Sequence, residues 1–347
     1  MKNVEIFGAG LSGLTAGIAL AREGYRVVVF DAQNSIGGSP AFHPSVHTTP
    51  AQLDELMNYV GIDLRKDFVK TDPYPTFYYR KTPLKFPPYT EHNTAYCIER
   101  GSRATSIDNH LFAIAREAGV GFEFKRKIDF SAVKPDTIVA TGLAPEMYES
   151  LGVPFRMIYG MWSWREIKDE TATGSIFMGP FTPEYGYTAQ VNGLDYALLF
   201  STKSITKDDE NTYKNILKSL GGGEYPEPWK SVKMAVPADV RLFSNGLILA
   251  GTLSGMMEPF WGYGIVGAII SGKLAAKAII DRKEAEKDFA LFTRGFHAKF
   301  MKRKNFSAHS APVREILIKT ALCGARLQCL WNKELAGKPR EPLRWFR

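Results

Sequence analysis

The order of apolar and polar residues at the start of the chain predicts a βαβ unit. VEIFGAG is typical of a strand, LSGLTAGIALAREGY places its apolar residues on one face of a helix, and RVVVFDA is again strand-like. Because the connections between the three segments are short, we expect the helix to pack directly on the two strands.

The region that follows is predicted to mix helices with strands and turns. TTPAQLDELMNYVGI is predicted to be a helix that is entered through Thr48, Thr49 and Pro50 and ends at Gly61. Residues 71–98 are rich in Pro and Tyr, which favours strands and turns. SIDNHLFAIAREAGV is predicted to be a helix, and TIVATG a short buried strand that ends at a glycine.

Beyond this region the pattern indicates antiparallel strands and then helices. Residues 155–200 alternate apolar and polar side chains, which is typical of antiparallel strands. RLFSNGLILAGT predicts a hairpin that leads into a strand, and IVGAIISGKLAAKAIIDRKEAEKDF predicts one long helix. The segment from Pro312 to Pro339 predicts an amphipathic helical tail.

Three glycines between the first strand and the first helix predict a nucleotide-binding loop. Gly8 permits a tight turn, Gly10 lets the backbone approach a pyrophosphate, and Gly13 lets the helix pack closely on the sheet. Free amides and the dipole at the helix N-terminus favour phosphates. An acid at the end of the second strand can bind a ribose, which argues for FAD or NAD rather than NADP. The residues predicted to bind the nucleotide here are Gly8, Gly10, Leu11, Ser12, Gly13, Asp31 and Ala32.

A glycine pair shortly after Asp31 extends this motif. The run GAGLSGLTAGIALAREGYRVVVFDAQNSIGG resembles the FAD-binding fingerprint of flavoproteins built like para-hydroxybenzoate hydroxylase. In those proteins an acid followed by a glycine pair, here Gly37 and Gly38, marks FAD rather than NAD. The resemblance implies FAD as the cofactor, with Gly38 among its contacts, and Gly142 at the end of TIVATG is predicted to be another.

A second glycine-rich loop, TLSGMMEPFWGYG, stands between the strand GLILAG and the helix that begins near Ile265. Because FAD is long, the first loop can hold only its ADP half, and the flavin end needs contacts of its own. Gly262 and Gly264 would let backbone amides approach the flavin, and the positive end of the helix favours the negative charge of a reduced flavin. An ordinary loop before a core helix is the alternative.

The second loop resembles the second FAD motif of the geranylgeranyl reductase family, in which a Gly-Asp pair precedes a Pro and a Gly-x-Gly-Ile step. The family's Asp, which holds the ribityl chain of FAD, is replaced here by Thr252, and a threonine brings no charge. A weaker hold on FAD is therefore the alternative to normal binding. The resemblance implies FAD contacts at Gly251, Thr252, Pro259, Gly262, Gly264 and Ile265.

Two segments between the loops resemble the same family more loosely. YCIERGSRATSIDNHLFAIAREAGV is similar to a segment in which an Arg precedes a helix, which implies that Arg100 or Arg103 lies near the flavin and that Asp108 helps to cap the helix. PEYGYTAQV is similar to the family's Tyr-x-Trp-x-Phe-Pro stretch beside the substrate channel, with Tyr185 in the first position and Tyr187 where Trp is usual. An Ala-Gln pair replaces the family's Phe-Pro, so the substrate stays open.

Aromatic residues are the candidates for contact with the reacting groups. Trp261 and Tyr263 lie within the second loop and are predicted at the flavin face, with Tyr185 and Tyr187 beside the substrate. FYYRKTPLKFPPY, MIYGMWSW and EPFWGYG could together wall an apolar pocket. A packed core without a cavity is the alternative.

The histidines give weaker indications. His43 and His47 follow the glycine pair and could be ligands, acid groups or a flavin attachment point. Because the proline between them argues against a helix, on which they would share a face, a surface loop is predicted. The other histidines are isolated and are predicted to be structural or exposed: His92, His110, His297 and His309.

The charge of the chain is concentrated in its last part. The net charge is +8, yet sixteen of the 44 Lys and Arg residues and only seven of the 36 Asp and Glu residues lie from Asp281 onward, so the rest is nearly neutral. A basic and apolar tail could lie on an anionic membrane or pack on its own protein, and nucleic acid is not expected. The basic residues concerned are Lys302, Arg303, Lys304, Arg314, Lys319 and Arg326, and the apolar ones are Val313, Ile316, Leu317, Leu327, Leu330 and Trp331.

The cysteines and the chain start bear on the compartment. Cys97, Cys323 and Cys329 are too few and too scattered for a disulfide framework, and no metal-ligand spacing stands out. The chain begins directly with a strand and has no apolar run of membrane-spanning length. We therefore expect a cytoplasmic protein, with the membrane surface as a further option through the tail.

Together these patterns predict an α/β protein with a Rossmann-like FAD-binding domain, an antiparallel-sheet substrate domain and a helical tail. The FAD-binding domain is predicted from residues 1–70, 96–150 and 235–290, the substrate domain from 71–95 and 151–234, and the tail from 291–347.

The predicted function is an FAD-dependent oxidoreductase of the geranylgeranyl reductase-like group, which reduces or oxidises a C–C bond of an apolar substrate, such as a prenyl lipid, by hydride exchange at flavin N5. A flavin monooxygenase on the same fold and a non-catalytic flavin- or ligand-binding protein are the alternatives. Because no second nucleotide-binding fold is apparent, an external electron donor, NAD(P)H or a redox protein, is expected.

Overall fold

A computed structural model describes residues 2–87 and 94–336 of the chain. Its strands, in chain order, are β1 (Asn3–Phe7), β2 (Arg26–Asp31), β3 (Ser45–Pro50), β4 (Val69–Lys70), β5 (Thr76–Tyr79), β6 (Thr82–Pro83), β7 (Ala95–Arg100), β8 (Gly121–Phe124), β9 (Ile138–Val139), β10 (Phe155–Glu166), β11 (Thr173–Met178), β12 (Gly186–Val191), β13 (Leu194–Ser201), β14 (Lys230–Pro237), β15 (Phe243–Ser244) and β16 (Leu247–Leu249). Its helices are α1 (Leu11–Arg22), α2 (Leu53–Val60), α3 (Ile107–Glu117), α4 (Pro145–Leu151), α5 (Lys207–Ser219), α6 (Ile265–Ile280), α7 (Arg282–Thr293), α8 (Phe296–Ala308), α9 (Ala311–Trp331) and α10 (Lys333–Ala336).

A six-stranded sheet carries both glycine-rich loops. Its strand order is β15-β16-β9-β1-β2-β8, and all neighbours are parallel except β15 and β16. Because β1, β9 and β16 are adjacent and parallel, their carboxyl ends meet at one edge of the sheet. The two loops, far apart in the sequence, therefore open at the same edge.

Helices α1 and α6, which follow the two loops, pack against each other at very close range. A Cβ atom added to Gly272 of α6 would lie 2.3 Å from the carbonyl oxygen of Ser12 in α1. Only glycine permits this approach, so the packing of the two helices fixes the position of one loop relative to the other.

The second large sheet has seven strands in the order β14-β10-β13-β12-β11-β5-β6, and its neighbours are antiparallel except for β11 and β5. A three-stranded antiparallel sheet, β3-β7-β4, packs against β12 and β13 through β3. The predicted fold class is confirmed: a Rossmann-like parallel sheet, an antiparallel sheet and a helical C-terminal part. The division into domains at the predicted boundaries stays a prediction.

Two predicted helices begin or end differently in the structure. Thr48, Thr49 and Pro50 are not a helix entry, because they pair with β7 as part of β3, and the helix starts only at Leu53. The long helix after Ile265 is two helices: Asp281 has an extended backbone, and its carboxylate accepts a hydrogen bond from the Glu284 amide, which caps α7.

The C-terminal part is helical, as predicted, but its basic residues do not all face outward. Arg303 and Arg314 are 2% and 7% exposed, so they anchor α8 and α9 to the protein instead of belonging to a basic surface. Among the described helices, none is both long and apolar enough to cross a membrane. His92 and Pro339 lie outside the described residues.

Candidate active site

A cavity of about 840 Å³ opens at the carboxyl edge of the six-stranded sheet. The loops that follow β1, β9 and β16 line one part of it, and β10, β13 and β14 line another with apolar side chains. These apolar side chains include Ile158, Leu198, Phe200, Val232 and Met234. The alternative of a packed core without a cavity is therefore wrong for MIYGMWSW and EPFWGYG. It is right for FYYRKTPLKFPPY, because none of its described residues lines the cavity and Phe77 and Tyr79 are buried.

The first loop has a backbone that only glycine allows at two positions. Gly8 has a φ of 108°, and a Cβ atom there would lie 2.3 Å from the carbonyl oxygen of Ala140. A Cβ atom on Gly13 would lie 1.8 Å from the carbonyl oxygen of Gly8, so α1 passes directly beneath the turn. Gly10 differs, because a Cβ atom there would meet no described atom within 4 Å and would project into open space.

Asp31 closes the first loop at the end of β2. Its Oδ2 accepts a hydrogen bond from the Ala9 amide at 2.6 Å, and its Oδ1 accepts one from the Gln33 amide at 2.7 Å. These bonds fix the carboxylate at the rim of the cavity, where it remains one of the lining residues.

The second loop touches the first. A Cβ atom on Gly251 would lie 2.8 Å from Oγ of Ser12, and the Gly251 amide donates a hydrogen bond of 2.7 Å to Oγ of Ser271 in α6. Both loops are thereby held by the same pair of helices. A ligand that lies along this edge of the sheet would contact both.

A buried acid that the sequence patterns did not single out organises the second loop. Oε2 of Glu258 accepts hydrogen bonds from the amides of Trp261, at 2.6 Å, and Phe260, at 3.0 Å. Burial raises the pKa of Glu258, whereas these amides and Lys299 act in the opposite direction. The turn between Pro259 and Gly262 is thus fixed by a side chain, and the acid directly before Pro259 was the available signal.

Two helix N-termini point their free amides at the cavity. Gly10 and Gly264 precede α1 and α6, both line the cavity, and in the described part of the chain neither helix has a side-chain cap. The hydroxyl of Thr141, also a lining residue, is buried without a hydrogen-bond partner among the described residues. Unpaired donors and helix dipoles at one edge fit a long ligand with anionic and polar groups, as FAD is.

The structure brings most predicted site residues together. The cavity is lined by Gly8, Gly10, Leu11, Ser12, Asp31, Ala32, Gly38, Arg100, Gly142, Tyr185, Tyr187, Gly251, Thr252, Pro259, Trp261, Gly262, Tyr263, Gly264 and Ile265. Gly13 lies beneath the first loop, where its predicted packing role places it. Arg103 is not a lining residue, because it pairs with Glu99 at 3.1 Å and donates to the carbonyl of Asn192.

The predicted helix-capping role of Asp108 is wrong. Ser106 caps α3, because its hydroxyl accepts a hydrogen bond from the Asn109 amide. Asp108 is fully buried and instead binds Arg100 through two hydrogen bonds of 2.8 Å. Although burial opposes it, Arg100 holds the pKa of Asp108 below its usual range, so the pair presents a fixed guanidinium to the cavity.

The prediction of a surface loop is wrong for His47, which lies in β3, whereas His43 lies in the loop that precedes this strand. Nδ1 of His43 and Nε2 of His47 each lie 2.9 Å from Oγ of Ser45, and Nδ1 of His47 lies 3.2 Å from the Tyr187 hydroxyl. Both histidines line the cavity. Residues two apart share a face of a strand, so Ser45 and His47 of β3 point the same way, a geometry that reasoning from helices missed.

We expect this histidine pair to make the protein sensitive to acid. Burial first, and Arg100 second, lower the pKa of each histidine to about 3 from an ordinary 6.5. Between pH 6.5 and pH 3, the two histidines are therefore protonated in the unfolded chain but neutral in the folded protein. The contribution of each histidine to the free energy of unfolding should be complete above pH 6.5. Below pH 6.5 this contribution should fall by about 1.4 kcal/mol per pH unit as the pH approaches 3.

Urea unfolding of the full chain between pH 7 and pH 4.5 measures this slope. His47→Gln should reduce it by about 1.4 kcal/mol per pH unit, whereas His309→Gln, at an exposed position, should leave it unchanged. Parallel pH profiles for wild type and His47→Gln would contradict the burial of a neutral His47.

Comparisons with known proteins agree with this geometry. Residues 6–53 match the family model of the NAD(P)-binding Rossmann-like domain. A putative flavin-containing monooxygenase, FMO GS-OX-like 10 of Arabidopsis thaliana, is 46% identical over 52 residues, which are 15% of this chain and 12% of that protein. The 4,4'-diaponeurosporene oxygenase of Staphylococcus haemolyticus is 33% identical over 84 residues, 21% of this chain and 16% of that protein. The chain thus spans only about an eighth of the first relative's length.

Solved structures match over nearly the whole chain. A geranylgeranyl bacteriochlorophyll reductase-like protein of Thermoplasma acidophilum superposes with a TM-score of 0.69 at 18% identity and covers 96% of this chain and 97% of its own. The p-nitrophenol 4-monooxygenase PnpA of Pseudomonas putida gives 0.61 at 14% identity, with 98% and 100% covered. At this identity the likeness shows the fold, which is shared by CmlS, a flavin-dependent halogenase, at a TM-score of 0.57 and 14% identity. The predicted resemblance to the geranylgeranyl reductase-like group is confirmed at that level, and FAD is the cofactor expected for it.

Proposed function

We propose that the protein is an FAD-dependent oxidoreductase that acts on an apolar small molecule by hydride transfer at flavin N5. The observation that carries the proposal is the convergence of two glycine-rich loops at one edge of a cavity whose far wall is apolar. The first loop would hold the ADP half of FAD and the second the flavin half, as the sequence resemblance implies.

The chain's own residues would bind, orient and exclude water. The amides at the start of α1 would bind the pyrophosphate, and Asp31 would bind the ribose. Trp261 and Tyr263 would lie at the flavin, where the hydroxyl of Tyr185 donates a hydrogen bond to the Trp261 carbonyl and fixes that part of the loop. A bound flavin supplies hydride exchange, and the surrounding apolar wall keeps water from it.

Tyr187 is proposed to face the substrate and to be oriented by His47. Burial raises the pKa of Tyr187 well above its ordinary value, so its hydroxyl stays protonated and can donate a hydrogen bond into the cavity. The neutral His47 at 3.2 Å accepts or donates according to its tautomer, which sets the direction of the Tyr187 hydroxyl.

A flavin-dependent monooxygenase is the second candidate, because the curated relatives that match the first loop include flavin-containing monooxygenases and a structural neighbour is the p-nitrophenol 4-monooxygenase. The test loads the full chain with FAD and supplies NADH and geranylgeraniol with and without oxygen. A product that gains two hydrogens under both conditions supports the reductase. A product that gains an oxygen atom only in air supports the monooxygenase, and no product under either condition would leave the non-catalytic alternative.

Replacement of Thr252 by the acid found in the resembling family should strengthen FAD binding. Thr252 lines the cavity directly after Gly251, and a carboxylate there would accept charge-assisted hydrogen bonds from ribityl hydroxyls. We expect Thr252→Asp to bind FAD roughly tenfold more tightly in a fluorescence titration, with Thr252→Ser unchanged as the control. Equal or weaker binding by Thr252→Asp would show that this position does not reach the ribityl chain.

The tail helix α9 is proposed to rest on an anionic membrane surface, which would suit a lipid substrate. Arg326 of α9 is exposed, and so are Lys302 and Lys304 of the preceding helix α8. The exposed apolar side chains of α9, with Leu330 at 73% and Trp331 at 91%, have no covering element among the described residues. They are Val313, Ile316, Leu317, Leu327, Leu330 and Trp331.

Vesicle sedimentation tests this placement with equal parts of phosphatidylcholine and phosphatidylserine. Leu327→Glu with Leu330→Glu should reduce the bound fraction about tenfold or more, because two apolar anchors are lost and two repelling charges are added. Ile280→Glu, exposed on α6, is the matched control and should bind normally. Unchanged binding of the double variant would place the apolar face of α9 away from lipid.

A further inference from the structure

One side of the cavity carries a buried cluster with more positive than negative charge. Glu184 is 7% exposed, and its Oε2 accepts hydrogen bonds from Arg303 at 2.8 Å and 2.5 Å. Its Oε1 lies 3.4 Å from Nη2 of Arg156, whose side chain is 22% exposed. One carboxylate thus faces two guanidinium groups in a setting largely removed from water.

The surroundings do not balance this excess. Arg314 is 7% exposed and donates to the carbonyl oxygens of Gly179 and Thr182, which carry no net charge. The nearby buried acid Glu258 has a cation of its own, Lys299, at 3.5 Å. Buried charge without a counter-charge is costly, so a cluster built this way favours an anion from outside.

Two donors in the cluster are also unpaired. Nε of Arg156 and Nη1 of Arg303 are buried without a hydrogen-bond partner within residues 2–87 and 94–336. Buried donors are rarely left unsatisfied, because each loses its bonds to water without a replacement. Phe300 of α8 stacks on the Arg156 guanidinium at 5.6 Å and holds it in place.

The cluster opens into the apolar part of the cavity. Arg156 of β10 lines the cavity and pairs directly with Val236 of β14. Met234, which also lines the cavity, is on β14 as well. A ligand whose apolar part lies against these strands could therefore place an acidic group on Arg156.

We infer that Arg156 is an anion-binding residue that selects apolar ligands bearing an oxyanion, a carboxylate or a phosphate. Glu184 and Arg303 are positioning residues, because Glu184 holds Arg156 at the wall while Arg303 holds Glu184. The inference rests on the proposed function, since it names the substrate class of the same cavity.

The test measures the affinity of the FAD-loaded full chain for decanoate, decyl phosphate and decanol by calorimetry. These probes share one alkyl chain and differ only in the head group. A charge-assisted hydrogen bond predicts that wild type binds one or both acids roughly tenfold or more tightly than decanol. The acid that binds more tightly shows whether the oxyanion of the ligand is a carboxylate or a phosphate.

Arg156→Gln should bring the affinity for that acid within about twofold of the affinity for decanol, and Arg156→Lys should recover part of the difference. Arg294→Gln removes one positive charge at an exposed position and is the matched control, with affinities like wild type. No preference of wild type for an acid, or an equal preference in Arg156→Gln, would overturn the inference. Failure of the proposed function is distinguished separately, because it would appear as a chain that binds no FAD or that forms no product with two added hydrogens, whatever its preference among the head groups.

Discussion

Gly10→Ala is expected to abolish FAD binding while it leaves the fold intact. Gly10 has φ −82° and ψ −176°, an extended conformation open to any residue, and an added Cβ atom would meet no described atom within 4 Å. That open space is where the first loop would receive the pyrophosphate. The methyl group would occupy it, and the affinity for FAD should fall roughly 100-fold or more.

Calorimetric titration with FAD and urea unfolding of the apo-protein together measure the two halves of this prediction. The free energy of unfolding should change by no more than about 1 kcal/mol, because the change only restricts the unfolded chain. Gly324→Ala in α9 is the matched control, since a Cβ atom there also meets no described atom within 4 Å. Normal FAD affinity in Gly10→Ala would mean that no phosphate approaches this backbone.

Arg303→Gln is expected to cost the protein about 3 to 5 kcal/mol of unfolding free energy. The change removes both hydrogen bonds of 2.8 Å and 2.5 Å to the buried Glu184 and leaves that carboxylate with Arg156 alone. It also removes the guanidinium that lies over the rings of Tyr185 and Phe260. The cost is therefore that of a buried carboxylate that loses both of its short hydrogen bonds, not that of a surface ion pair.

Urea unfolding at neutral pH measures the loss, with Arg326→Gln at an exposed position of α9 as the control. The combined replacement Glu184→Leu with Arg303→Met should recover part of the stability, because it removes both members of the Glu184–Arg303 pair, although Arg156 then loses its carboxylate partner. A loss below about 1 kcal/mol in Arg303→Gln would show that Glu184 remains hydrated and that the cluster is not buried.

The parts of the fold that the sequence predicted are those set by short-range patterns. Gly8 and Gly13 predict a turn because the turn itself gives Gly8 a φ of 108° and a Cβ atom on Gly13 would lie 1.8 Å from the carbonyl oxygen of Gly8, both within one βαβ unit. The antiparallel strands between residues 155 and 200 follow from alternation over a few residues. The second loop was recognisable because Gly262 and Gly264 precede an apolar helix.

The parts that were missed depend on partners far along the chain. Arg303 looked like one basic residue among many in the tail, and only its contact with Glu184, 119 positions away, shows why it is buried. His47 was assigned to a loop because Pro44 argues against a helix, and the strand that contains His47 is apparent only from its pairing with β7. Asp281 divides the predicted long helix in two, because its carboxylate accepts a hydrogen bond from the Glu284 amide and caps α7.

Binding of FAD and of ADP to wild type, Gly10→Ala and Gly264→Ala tests most directly whether both loops hold one cofactor. A Cβ atom on Gly264 would make ordinary contacts, 3.5 Å from Met257, so this variant should fold. We predict one FAD per wild-type chain, loss of both ligands in Gly10→Ala, and loss of affinity for FAD but not ADP in Gly264→Ala. A wild-type chain that binds no FAD, or a Gly264→Ala variant that binds FAD normally, would contradict the account.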